Sequence, residues 1–259
     1  MLADMKRDDW LAALGLAAAE VPAALILRGT RQLKEHAARH RGLLAGAREL
    51  VSANGIFEDI VIGLHRGTRL AIACIYGPSM ASEVAHVFSL LGVSRIILTG
   101  CCGALDARIA PGDIVVPAAA FPGDGASRYY GADGSTAMAA DAALHEAAVA
   151  AVKASGWNAC SGAIYTTAAL CAESAADVQA WAAEGYMAVD METATVYAVA
   201  RYFAVPAVAV LFAFDCLAAG ESIVLTDAEK SGRRSQGEEI MTQIALRLAA
   251  DQNAERPQQ

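Results

Sequence analysis

The stretch Ala188 to Asp215 reads AVDMETATVYAVARYFAVPAVAVLFAFD: a short apolar strand runs into Asp190-Met191-Glu192, a helix comes next, and a second apolar strand ends on an aspartate. Strand, helix and strand in such close succession restrict the chain to an α/β fold. The block also delivers two carboxylates, Glu192 and Asp215, to the ends of two buried strands. An acid at the lip of a buried strand is costly unless it has a partner, and open α/β sheets bind their ligands at that lip. Glu192 and Asp215 are therefore the first site candidates. Each also has a structural reading, Glu192 as a first-turn carboxylate stabilised by the helix dipole and Asp215 as a cap for the next turn of the chain.

The rest of the chain repeats the alternation, which predicts one α/β domain over residues 1–259 with a central sheet covered by helices on both faces. No Pro/Ser-rich linker or charge run divides it. Apolar residues make up 56% and charged residues 19% of the chain, enough for a large core and against disorder. A net charge of -8, with no local Lys/Arg cluster, repels a phosphate backbone and argues against a nucleic-acid partner. The six cysteines lack zinc-site spacing and the regularity of a secreted disulfide framework, so the expected compartment is reducing and cytoplasmic, with no metal. Leu11 to Leu27 is apolar, but Glu20 and Pro22 interrupt it and Lys6-Arg7-Asp8-Asp9 carries no net positive charge. It reads as a helical extension within residues 1–20 followed by a core strand, rather than a signal peptide. No segment has the roughly 20 uninterrupted apolar residues that would span a membrane.

Val21 to Leu27 is the expected first strand and Arg31 to Ser52 the first long helical segment. Ile60 to Leu64 and Leu70 to Tyr76 form a predicted hairpin. Pro78 opens a helix that runs to Leu91 and stops at Gly92. Arg95 to Thr99 is a β-branched strand expected to end in a Gly100-Cys101-Cys102-Gly103 turn, where the adjacent cysteines are expected as thiols because neighbours rarely meet disulfide geometry. A strand from Asp113 to Phe121 precedes the long irregular segment Pro122 to Gly134. Helices at Ala142 to Ser155, Ala175 to Glu184 and Asp227 to Ala250 and a strand at Cys160 to Thr166 complete the reading, with a frayed polar tail over residues 251–259.

Arg28-Gly29-Thr30-Arg31, Tyr76-Gly77-Pro78-Ser79, GCCGALDARIAPGDIVVP from Gly100, DGAS from Asp124 and DMETAT from Asp190 succeed one another in this order. Together they resemble the nucleoside phosphorylase superfamily of purine nucleoside phosphorylases, uridine phosphorylases and methylthioadenosine nucleosidases, over roughly residues 21–250. The resemblance implies N-glycosidic cleavage of a small-molecule nucleoside, with no cofactor beyond inorganic phosphate as co-substrate. It implies a homo-oligomer, a dimer or a hexamer, with sites built between paired subunits. It casts Met191 and Glu192 as the ribose grip and Asp215 as the group that protonates or hydrogen-bonds N7 of a leaving purine. The segment Thr166 to Ala176 lacks the Gln and Arg that read uracil in the family, which favours purine or purine-like bases; Phe214, Phe121 and Leu170 are the expected walls around the base.

The phosphate ligands depart from the family pattern. Gly29 matches, and Gly100 lies at the expected turn. Leu98 stands where the family has an arginine and Cys101 where it has a hydroxyl, and Gly55 to Phe57 lacks the arginine lent to a neighbour. Arg28 and Arg31 are the possible substitutes. Without guanidinium ligands a phosphate dianion loses its strongest bidentate hydrogen bonds, so three readings stay open: phosphorolysis, hydrolysis by water, and non-catalytic nucleoside binding.

Overall fold

A computed structural model describes residues 1–52, 55–224 and 228–251. Its centre is β1 (Ala24–Gly29), buried along its length between two parallel partners, β4 (Thr68–Ile75) and β5 (Arg95–Ala104). Burial on both faces explains its continuous apolar run. The strand begins three residues later than expected and carries Arg28 and Gly29 within it. β3 (Ile60–His65) joins β4 through Arg66 and Gly67, whose φ values of 49° and 81° suit a two-residue hairpin.

Two expectations give way here. The helix expected over Arg31 to Ser52 is α2 (Leu33–Arg41), and Ala45–Leu50 forms β2, an antiparallel edge strand on β3. The helix-prone AGAREL sequence is overruled by the open edge of β3, where Gly63 admits the close approach: a Cβ there would stand 2.7 Å from Leu44 Cβ. The expected turn at Gly100 to Gly103 is instead strand, because β5 runs on to Ala104 against β10 (Ala207–Cys216), pairing Cys101 with Phe212 and Cys102 with Ala213. All six cysteines are free thiols.

The remaining strands are β6 (Ile114–Pro122), β7 (Met138–Ala139), β8 (Ala159–Thr166) and β9 (Ala188–Asp190). Strands β5, β10, β6, β8 and β9 pair in a ring, since β9 also pairs with β5, while β1, β4, β3 and β2 extend the sheet outward from β5. The sheet has a core on each face. One is built with α1 (Arg7–Ala13), α3 (Gly77–Leu91) and α6 (Thr193–Tyr202), the other with α2, α4 (Ala142–Ala154) and α7 (Ala228–Ala250). α3 ends where expected, on Gly92 at φ 97°. The segment Pro122 to Gly134 holds a short 3-10 turn, Ala126–Tyr130, between Gly125 and Gly131, both at positive φ. α5 (Ala175–Ala183) is exceptional in having no buried residue. Among the described residues no helix is long and apolar enough to cross a membrane. Asp227 and the tail beyond Asp251 lie outside the described residues.

Candidate active site

The ends of β1, β5, β9 and β10 open onto a cavity of about 1210 Å³, whose lining includes Gly29, Cys101, Met191, Glu192, Phe214 and Asp215. The two acids singled out in the sequence thus share one space.

Glu192 is 7% exposed and accepts a 2.7 Å hydrogen bond from the Gly77 amide through Oε1. That N–H belongs to the first turn of α3, so a helix N-terminus holds the carboxylate in place. Its other oxygen lies against Gly29, where a Cβ would stand 3.1 Å from Oε2. Burial, and then the charge of Asp190, push the Glu192 pKa up, and the Gly77 N–H and Arg28 oppose the rise. Asp190 is itself fully engaged. It accepts from Thr166 Oγ1 at 2.7 Å, Thr193 N at 2.8 Å, Thr193 Oγ1 at 2.5 Å and Glu192 N at 3.2 Å. Burial raises the Asp190 pKa, and these bonds oppose the rise by favouring its ionised form. Met191, half-buried between them, lines the cavity.

Asp215 is 6% exposed at the end of β10. A register shift between Ala213 and Asp215 re-aims the strand there, and Gly103 opposite leaves room: a Cβ on it would stand 3.1 Å from Asp215 Oδ1. Burial first, and the charge of Glu221 second, raise the Asp215 pKa to about 6.

A third acid escapes sequence reasoning. Glu173 lines the same cavity, half-buried, with Oε1 buried and without a hydrogen-bond partner among the described residues. Burial, then the nearby Asp215 charge, raise its pKa to about 7. The one local signal is an acid just ahead of Ser174, the N-cap of α5, in a segment whose expected meaning lay in the Gln and Arg it lacks.

The anion candidates are differently placed. Arg28, its side chain 6% exposed, is paired with Glu238 of α7, lies 3.6 Å from Met241 Sδ and sits over the Phe212 ring. His36 Nδ1 is 3.7 Å from the same Glu238 oxygen, and burial together with the Arg28 charge lowers the His36 pKa while Glu238 opposes the shift. Arg31 stacks over Tyr76, 4.6 Å from the ring centroid. Both arginines line the cavity, as do Gly29 and Cys101, whose half-buried thiol has its pKa pushed up to about 11 and stays protonated. Gly100 is buried behind Gly29, off the cavity wall: a Cβ on it would meet the Gly29 carbonyl at 3.5 Å.

Of the expected base walls, Phe214 and Leu170 line the cavity, with the Arg234 guanidinium 4.7 Å from the Phe214 ring. Phe121 does not. Its ring stacks on Tyr165 with centroids 5.7 Å apart, in a cluster completed by Trp181 and Tyr186.

A family model described as the phosphorylase superfamily matches residues 26–250. A DeoD-type purine nucleoside phosphorylase of Caldanaerobacter subterraneus subsp. tengcongensis is 29% identical over 191 residues, 72% of this chain and 79% of that protein. A guanosine phosphorylase of Halorubrum lacusprofundi is 35% identical over 156 residues, 59% of this chain and 63% of its own length. The crystal structure of uridine phosphorylase from Vibrio fischeri ES114 superposes with a TM-score of 0.78 at 18% identity, covering 96% of this chain and 99% of that one.

Proposed function

This chain belongs to the phosphorylase superfamily, and from that premise we propose that it cleaves the N-glycosidic bond of a purine nucleoside by phosphorolysis, releasing the free base and ribose 1-phosphate. The observation that carries the reading is the convergence of Glu192 and Asp215, from separate strands, on one cavity with the glycine-lined end of β1.

In this reading the sugar lies against Met191 and Glu192. As the C1′–N9 bond stretches, its electron pair passes to the base and the sugar becomes oxocarbenium-like. An ionised Glu192, fixed by the α3 N-terminus, accepts from the ribose hydroxyls and stabilises that positive charge. Substrate hydroxyls that donate to Glu192 favour the ionised form that burial opposes. Asp215, protonated up to about pH 6, donates to N7 and neutralises the departing purine. A phosphate oxygen then bonds to C1′.

Glu173 and Asp215 together fit N1 and N7 of a purine, and a pyrimidine has no N7. A carboxyl titrating near 7 beside Asp215 can donate to N1 of a 6-aminopurine when protonated and accept from N1–H of a 6-oxopurine when ionised. The relatives named for purine nucleosides and guanosine support the same choice.

A hydrolytic variant is favoured by one observation: the Arg28 guanidinium already has a carboxylate partner in Glu238. The deciding experiment incubates the protein with inosine, adenosine, methylthioadenosine and uridine, with and without phosphate, and identifies the sugar product. Release of the free purine base together with the sugar 1-phosphate is the expected result. Free ribose assigns the reaction to water, and preferential cleavage of uridine removes the purine reading.

A further inference from the structure

Resting on the base-cleaving reading above, we propose that the substrate is a purine nucleoside bearing an apolar substituent on carbon 6 of the base, and that the outer part of the cavity is the subsite for that group.

Three observations converge on this. The cavity, about 1210 Å³, is larger than the roughly 300–1,000 Å³ of ordinary small-molecule sites, although a nucleoside with one phosphate is no bigger than a drug-sized ligand. Apolar groups also gather at its outer end. Arg28, Gly29 and Glu192 occupy the end at β1, whereas α5 and the 3-10 turn Leu217–Ala219 supply Val178, Ala182, Leu217 and Ala218, with Ser174, Gln179, Glu221 and Ser222 the polar groups beside them. Finally, Ala175, Val178 and Ala182 recur at helical spacing, and all three line the cavity while α5 buries no residue in the protein core. The face of this helix turned to the cavity carries these three apolar residues together with Gln179.

The chain order places this wall relative to the base. Glu173 immediately precedes Ser174, the N-cap of α5, and Asp215 lies two residues before Leu217. With Asp215 on N7 and Glu173 on N1, the purine edge between the two acids is carbon 6. A substituent there leaves the ring between α5 and the Leu217 turn, and an aryl or alkyl group on the exocyclic nitrogen would be buried against Val178, Ala182 and Leu217. Ala182 and Ala218 contribute little bulk, which leaves that path open.

The test compares kcat/KM for N6-benzyladenosine and adenosine in the native protein and in Ala182→Trp. The native protein is expected to favour the benzyl compound by about tenfold or more, the gain that burying one aromatic group brings. Ala182→Trp should lower that ratio at least about tenfold by filling the path. Ala218→Trp serves if the first variant does not fold, as judged by thermal melting. Cleavage of adenosine with no preference for the benzyl compound overturns the subsite and leaves the proposed reaction standing. If neither nucleoside is cleaved, equilibrium binding of N6-benzyladenine against adenine separates the two: tighter binding of the benzyl base keeps the subsite without the reaction, and equal binding removes both. A tryptophan variant that changes the molar mass in light scattering but leaves the ratio unaltered would make this wall an interface between copies of the chain and overturn the proposal.

Discussion

The guanidinium of Arg28, on β1 at the floor of the cavity, is paired with the carboxylate of Glu238, on α7 and 210 residues away in the chain. The cation best placed to hold a phosphate beside Gly29 is therefore compensated from within the protein. Any anion that binds there competes with Glu238 or must share Arg28 with it.

This sets the first prediction. Glu238→Gln removes the competing charge while keeping a hydrogen-bond acceptor, so the phosphate concentration for half-maximal turnover should fall about tenfold, the worth of one charge-assisted hydrogen bond. Without phosphate the variant should melt lower than the native protein, because Arg28 is left buried and unpaired. Added phosphate should restore much of the loss. Phosphate titrations of activity and of melting temperature check both, and an unchanged phosphate dependence would place the anion elsewhere.

Glu192 should matter most when the sugar is cationic. Glu192→Gln is expected to lower kcat about 10²–10³-fold with little change in KM. Gly29→Ala should reach the same group indirectly, since its Cβ would stand 3.1 Å from Oε2 and 3.5 Å from the Thr99 carbonyl. Its kcat should fall while stability changes by only about 1 kcal/mol. Steady-state kinetics with a thermal melt distinguishes displacement of Glu192 from general unfolding.

The pH profile depends on Asp215. With its pKa raised to about 6, the protonated acid predominates below that pH and is lost above it, so kcat/KM for purine nucleosides should decline on the alkaline side of about pH 6. Asp215→Asn should abolish that limb and lower the plateau about 10²–10⁴-fold. A retained limb would assign it to another group.

Glu173 should set the choice of base. As pH rises through about 7, its carboxyl changes from donor to acceptor, so the ratio of adenosine to inosine cleavage should fall, by about tenfold across the transition if one hydrogen bond is exchanged. Glu173→Gln should make the ratio independent of pH. The linkage has a definite sign: a carboxyl whose folded pKa is raised stabilises the protein below its unfolded value and loses that contribution as pH rises through about 7. Glu173→Gln should therefore melt above the native protein on the alkaline side, where this carboxylate is ionised in the fold.

What could be read from the sequence was what local chemistry decides. The period of the apolar residues placed β1, β4, α3 and β10 within a few residues, Gly92 marked the end of α3, and the Asp190-Met191-Glu192 and Asp215 positions located the two acids at strand ends. Each is written within a dozen neighbouring residues. Tertiary structure decided what depends on a distant partner. The edge of β3 turned helix-prone Ala45–Leu50 into a strand, and β10 carried β5 straight through two glycines. Phe121 joined an aromatic cluster off the cavity wall. Arg28 acquired its counter-charge from α7, and Glu173 acquired its raised pKa from burial in a cavity shared with Asp215. Hydrogen-bond ladders, desolvation and charge pairing depend on what is near in space, and most of these neighbours are far away in sequence.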